Sequence, residues 1–251
     1  MTTHLEVLFT PADFAALSRR ELSGSLCVVF DVLRATSSMV TALENGAAAI
    51  LPVAEIPEAL ALRRKHPDVL LAGERDGVRI PASLSGGVDF DLGNSPREFT
   101  RERVQGRTIV MSTTNGTRAL RACAHARTVL AGSFLNLAAT AAYLQKAKPE
   151  ELLLVCSGTH EEVALEDVLG AGALAELVWN DYERIADSAQ MARELFQLAK
   201  SDLPTALGKS RNGRRLLGMP ALRDDVACCA QMNSAPLLAV LDKTSQVRKQ
   251  T

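Results

Sequence analysis

The chain has 251 residues, 47% hydrophobic and 23% charged, enough to bury a sizeable core as one domain or as two closely packed lobes. Lys and Arg number 28 against 29 Asp and Glu, a net charge of −1 with no basic stripe of the kind a nucleic-acid partner demands. Five cysteines with no C-x-x-C pair, an N-terminus without basic or apolar leader regions and no membrane-length apolar run predict reduced thiols and a cytoplasmic protein without a membrane partner.

Short apolar runs alternate with helical patterns along the chain. A strand over 5–9 precedes a helix from Pro11 to about Arg20, with proline at the helix start. Residues 26–30 form a near-continuous apolar run, as a strand buried on both faces requires. A helix over 35–44 closes at Asn45-Gly46, followed by a strand over 48–53, a helix over 57–65 and a strand over 69–72. Residues 73–96 break the pattern, being rich in Gly, Ser, Asp and Pro; only 88–92 is β-compatible. Alternation resumes with a strand over 108–111, a helix over 116–124, a strand over 128–131, a helix over 135–146 and a strand over 152–156. From Val163 the pattern turns helical, over 164–180 and 187–200, near Leu203, over 211–217 and over 223–231, before a last strand at 236–241. The basic stretch 209–215 reads as a solvated helix face, and the Arg and Lys of the C-terminus as a frayed tail. The alternation predicts an α/β fold in three layers, a mostly parallel or mixed sheet of six to eight strands flanked by helices. It is one domain over 1–251, or two packed lobes of about 1–105 and 106–251 with the site in their cleft.

Ligands of open α/β sheets bind outside the carboxyl ends of the strands, so those ends are the informative places. The first carries Asp31, Arg34 and Thr36, and the second Gly73, Glu74 and Arg75. The third carries Thr113, Thr114, Asn115, Gly116 and Thr117; the fourth runs through Cys156, Ser157, Gly158 and Thr159 to Glu166 and Asp167. Taken singly, each has a commoner explanation as a helix cap or turn residue. Together, Asp31, Glu74, Glu166 and Asp167 are hard oxygen donors suited to Mg²⁺. Arg34 offers a bidentate fork for phosphate or carboxylate, and the 113–117 turn gathers hydroxyls, an amide and free backbone N–H groups. Familiar phosphatase signatures do not match. The haloacid-dehalogenase start needs a second acid where Leu33 stands, and the cysteine phosphatases need Arg where Glu162 follows Cys156. Neither a Walker A loop nor a G-x-S-x-G elbow is present.

Five blocks in order, 31–37, 73–75, 90–96 (with Asn94 and Ser95), 113–117 and 164–167, resemble the 2-phosphosulfolactate phosphatase family. The resemblance implies a Mg²⁺-dependent phosphatase that converts 2-phosphosulfolactate to sulfolactate and phosphate, a step of coenzyme M biosynthesis, in a homodimer. It implies Asp31, Arg34 and Glu74 as the catalytic set and Asp31, Glu74, Glu166 and Asp167 as the Mg²⁺ ligand set. Thr36, Arg75, Asn94, Ser95 and Thr113 to Thr117 are then substrate-binding, with Arg79 a further cationic candidate. Whether Asp31 ligates, attacks or activates water stays open. Residues 81–88, between two of the blocks, are a candidate seat of substrate selectivity. Two competing readings are a haloacid-dehalogenase-like phosphotransferase with Asp31 as nucleophile, and a non-catalytic binding protein for small phosphorylated acids. The carboxylates favour an enzyme, because unpaired acids repel a phosphorylated anion unless a metal stands between them.

Overall fold

A computed structural model describes residues 3–250. The first half runs β1 (His4–Leu8), α1 (Pro11–Ala15), β2 (Ser25–Phe30), α2 (Ala35–Glu44), β3 (Ala49–Val53), α3 (Ile56–Lys65), β4 (Leu70–Arg75), β5 (Val78–Arg79), α4 (Ala82–Ser85) and α5 (Arg101–Val104). Then come β6 (Thr108–Ser112), α6 (Gly116–Ala122), β7 (Thr128–Gly132), α7 (Leu137–Ala147), β8 (Glu151–Cys156), α8 (Leu165–Val178), β9 (Arg184–Ile185) and α9 (Asp187–Ala199). The chain ends with α10 (Leu203–Gly208), α11 (Arg211–Leu217), α12 (Asp224–Cys229), β10 (Leu238–Leu241) and β11 (Val247–Gln250). Local chemistry sets several boundaries. Thr10 and Asp13 form a reciprocal capping box before Pro11, and Ser210 accepts the Gly213 N–H at 2.9 Å to start α11.

The strands form one mixed sheet in the order β5-β4-β6-β3-β11-β10-β7-β2-β8-β1-β9. Two parallel sets, β4-β6-β3 and β7-β2-β8-β1-β9, are joined by the antiparallel β10–β11 hairpin. Strands from 1–105 and 106–251 alternate across it, β6 lying between β4 and β3 and β8 between β2 and β1. Eleven strands exceed the expected six to eight for identifiable reasons. β5 and β9 have two residues each, too short for a periodic signal, and β11 lies in the expected frayed tail. That tail is a correction: all four residues of β11 pair with β10, and Val247 is fully buried. Its charged residues are tied outside the core, Arg248 to Asp242 and Lys249 to Glu44.

Period-two alternation sends β2 side chains to two cores. Leu26, Val28 and Phe30 face α7, α8 and α9, whereas Cys27 and Val29 join a second core with α2 and α6. That second core also takes Ile50, Ile109 and Met111 from β3 and β6, so α2 and α6 sit between the two parallel sets. A smaller third core packs α3 on the opposite face of β3, β4 and β6 through Val53, Leu71, Val110 and Ala59. The segment 73–96 is more ordered than its composition suggests: β4 and β5 form a hairpin, α4 follows, and Leu92 bridges back to Ala72. Cys27, Cys123, Cys156 and Cys229 are buried, Cys228 is half-buried, and all five are free thiols. No helix among the described residues is long and apolar enough to cross a membrane.

Candidate active site

The carboxyl ends of β2, β4, β6 and β8 converge on one cleft of about 210 Å³. β2 delivers Asp31, Leu33 and Arg34, and the β4–β5 hairpin delivers Glu74 to Gly77. The turn after β6 supplies Thr113, Thr114 and Asn115, the turn after β8 supplies Gly158 to His160, and Asn94 adds a further wall. The remaining wall is α11, through Asn212, Arg215 and Leu216. Their i, i+3, i+4 spacing places these three on one helical face.

Asp31 is the carboxylate at the floor. Its Oδ1 accepts the Ala35 N–H at 3.0 Å, which fixes it at the start of α2. Burial, with Glu74 and Glu166 adding negative charge nearby, pushes its carboxyl up from an ordinary 3.8 to about 6. Gly116 stands against it: a Cβ there would lie 2.7 Å from Asp31 Oδ2 and 2.9 Å from the Ala35 Cβ. Glycine at position 116 therefore lets α6 approach the carboxylate.

Glu166 and Asp167 lie behind the lining, at the start of α8. Asp167 is spoken for: Oδ1 accepts the Val32 N–H at 2.8 Å, and Oδ2 accepts the Ser157 hydroxyl at 3.0 Å and the Gly158 N–H at 3.1 Å. Burial and the charges of Asp31 and Glu166 nevertheless hold its carboxyl well above the usual range. Glu166 is raised by burial as well; its Oε1 accepts from the Asn212 amide at 2.6 Å, while its buried Oε2 has no partner. Asn94 Oδ1 and Asn115 Oδ1 are likewise buried without partners. Glu74 is fully engaged, accepting the Thr114 N–H (3.2 Å) and hydroxyl (2.9 Å) on Oε1 and the Gly77 N–H (2.7 Å) on Oε2.

Buried, unpartnered oxygens among like charges are the donor set that a hard divalent cation completes. The free Oε2 of Glu166 and the Asp31 carboxylate are the candidates for that role, and Asp167 and Glu74 are bonded in positioning roles; no three of these four carboxylates lie within 4.8 Å of one another. A tighter group, His4, Glu6 and Glu151, lies at the opposite ends of β1 and β8. Its charge is already met by Arg20, 2.9 Å from Glu6 and 2.8 Å from Glu151.

The arginines differ in availability. Arg34 donates to Asp225 Oδ2 at 2.7 Å, with side chains 3% and 0% exposed, and to the Gly77 carbonyl at 2.7 Å. Ser95 does not line the cleft but donates to Asp225 Oδ1 at 2.7 Å, completing that buried pair. Arg75 is committed to the Glu74 carbonyl at 2.7 Å and the Ser112 hydroxyl at 2.9 Å. Arg79 is exposed on β5, away from the lining, and no residue of 81–88 lines the cleft. Thr36 lies beneath the floor, exchanging hydrogen bonds of 3.0 Å with the Asp31 backbone. Thr117 pairs with Thr113 at 3.2 Å, and Asn115 donates to the Gly158 carbonyl at 2.9 Å, joining two of the turns.

Four residues at this site escape the strand-end reading: Asp225, Asn212, Arg215 and His160. Lys209, Arg211, Arg214 and Arg215 are exposed, as a solvated face requires, and Arg215 lines the cleft as well. The only sequence signal was the run of polar residues on a short helix. His160 sits beside the turn after β8, between Thr159 and two glutamates, with φ of 57°.

The family model for 2-phosphosulpholactate phosphatase matches residues 14–244. A relative from Carboxydothermus hydrogenoformans named probable 2-phosphosulfolactate phosphatase is 39% identical, covering 91% of this chain and 89% of its own. Relatives of the same name from Symbiobacterium thermophilum (39% identity, 88% and 92% covered) and Deinococcus radiodurans (41%, 86% and 87%) are similar along most of their length. The chain belongs to the 2-phosphosulpholactate phosphatase family.

Proposed function

We propose that this protein hydrolyses 2-phosphosulfolactate to sulfolactate and phosphate. The observation that carries the reading is the cleft itself, where a buried carboxylate floor stands beside arginines and a hydroxyl-rich turn. The printed names of the relatives support the same substrate. An acidic floor repels a phosphorylated acid unless a cation intervenes, so the reading includes Mg²⁺ held by Asp31 and Glu166. When bound, Mg²⁺ supplies neutralisation of phosphoryl charge. Arg34, held by Asp225 and Gly77, keeps the remainder of its five N–H groups for phosphate oxygens. Thr113, Thr114 and Asn115 line the cleft as neutral donors to the same group. The water oxygen bonds phosphorus as the bond to the substrate's C2 oxygen breaks, and that oxygen takes up a proton. Leu33 stands where a haloacid-dehalogenase nucleophile has its second acid, which favours attack by water over a covalent Asp31 intermediate.

The reading extends to a cytoplasmic location, supported by five free thiols, and to a role in coenzyme M biosynthesis, supported by the substrate. It includes a homodimer, supported by the exposed apolar side chains Met191, Leu195 and Leu198 on α9; light scattering of the purified protein tests that part. The central test is phosphate release from 2-phosphosulfolactate with Mg²⁺ and with EDTA, in the wild type and in Asp31→Asn. The expected result is release only by wild type with Mg²⁺. Binding of the substrate without release under any condition would instead establish a binding protein.

A further inference from the structure

We propose that Arg215 on α11 is the residue that recognises the sulfonate of the substrate, and so separates it from phosphorylated acids that lack one. This inference rests on the phosphatase reading above. The substrate has three anionic groups, and the cleft places three arginines along its wall, Arg34, Arg75 and Arg215. They are not equivalent. Arg75 is used up by backbone carbonyls and the Ser112 hydroxyl. Arg34 is buried against Asp225 and stands three residues after Asp31, on the floor side of the cleft assigned above to the phosphoryl group.

Arg215 is the most exposed of the three, with a side chain 39% accessible. It donates to the Asp76 carbonyl, and the Asp76 carboxylate stands 3.9 Å away with its own side chain 90% exposed. Such a solvated pair is worth little and yields to a better-placed anion. A sulfonate is ionised at any physiological pH and presents oxygens that match the guanidinium fork. Asn212, one turn before Arg215, bonds Glu166 at 2.6 Å and Thr159 at 2.7 Å, so α11 is docked onto the carboxylate layer. Of the three arginines on α11 only Arg215 lines the cleft; Arg211 bonds Glu162, and Arg214 bonds the Lys209 carbonyl. The helix thus holds one cation at a fixed displacement from the reacting floor.

The test compares wild type and Arg215→Gln on 2-phosphosulfolactate and on 2-phospholactate, which keeps phosphate and carboxylate but has hydrogen in place of the sulfonate. Loss of a charge-assisted contact predicts kcat/KM for 2-phosphosulfolactate down on the order of 10- to 100-fold, chiefly through KM. The kcat/KM for 2-phospholactate stays at its wild-type level. Arg215→Lys, a point charge without the fork, recovers part of the loss. Equal losses on both substrates, or none on either, overturn the proposal. Calorimetric binding of sulfolactate against lactate reads the same preference without turnover, and wild-type protein that binds both alike also overturns it. A wild type that prefers sulfolactate but releases no phosphate defeats the phosphatase reading alone.

Discussion

Replacing Asp31 by Asn is expected to make the metal-free protein more stable while removing its activity, with the stability gain building as pH rises from about 4 to about 6. The carboxyl titrates near 6 in the folded chain against an ordinary 3.8, because burial and the neighbouring Glu74 and Glu166 oppose its charge. Between those values the folded state keeps a proton that the unfolded state has released. Asp31 therefore favours folding fully below about pH 4, and that contribution is lost as pH rises through about 6. A gap of about two pH units, at ~1.4 kcal/mol per unit, makes the ionised group cost about 3 kcal/mol at pH 8. Asn has no charge to bury, keeps an oxygen for the Ala35 N–H, and relieves Asp167, whose carboxyl the Asp31 charge also raises.

The assay is thermal melting in EDTA at pH 5 and pH 8. At pH 8 Asp31→Asn should melt roughly 6–12 °C above wild type, using 2–4 °C per kcal/mol for a chain of this size. At pH 5, between the unfolded and folded values, about half of that difference should be present. Adding Mg²⁺ should raise the wild-type melting temperature at pH 8 and leave the variant unmoved, since a bound ligand stabilises by mass action. A variant no more stable than wild type at pH 8, or an equal gain at both pH values, would refute the argument that Asp31 is a desolvated charge awaiting a cation.

Three further outcomes follow from the same geometry. Asp225→Ala leaves the Arg34 guanidinium buried without its carboxylate and should cost roughly 3–5 kcal/mol in urea unfolding, whereas Glu161→Ala, which breaks an exposed pair with Arg118, should cost about 0–1 kcal/mol. Gly116→Ala forces its new methyl against Asp31 and Ala35; overpacking of roughly 1–3 kcal/mol should be seen in melting, with phosphate release reduced well beyond what the remaining folded fraction explains. Val247→Asp buries a charge in the middle of the sheet and should abolish soluble folded protein, while Arg248→Ala, on the exposed side of the same strand, should stay within about 0.5 kcal/mol.

The strands whose ends build the site were legible because they are buried on both faces. Runs such as 26–30 and 152–156 have no polar face to confuse the period, and burial of every residue from Ser25 to Phe30 is the structural counterpart. The polar residues just past them then stood out as strand ends. β4 was the partial exception: it continues to Arg75, so Glu74 projects from the strand itself and is fastened by the hairpin turn at Gly77. What stayed hidden depends on tertiary partners. Asp225 reads locally as an ordinary acid in the first turn of α12, and only the fold carries it 191 positions along the chain to Arg34. β11 hides for the opposite reason, since backbone pairing with β10 holds a polar strand that has only one buried apolar side chain. Arg211, Arg214 and Arg215 are chemically identical in sequence. A seven-residue helix has too few turns to define its faces by periodicity, so the choice of Arg215 is made by what α11 docks against, the Asn212 contact to Glu166. The reacting floor thus rests on strand ends that a sequence can announce. The residue that separates one anion from another stands on a helix whose orientation only packing decides.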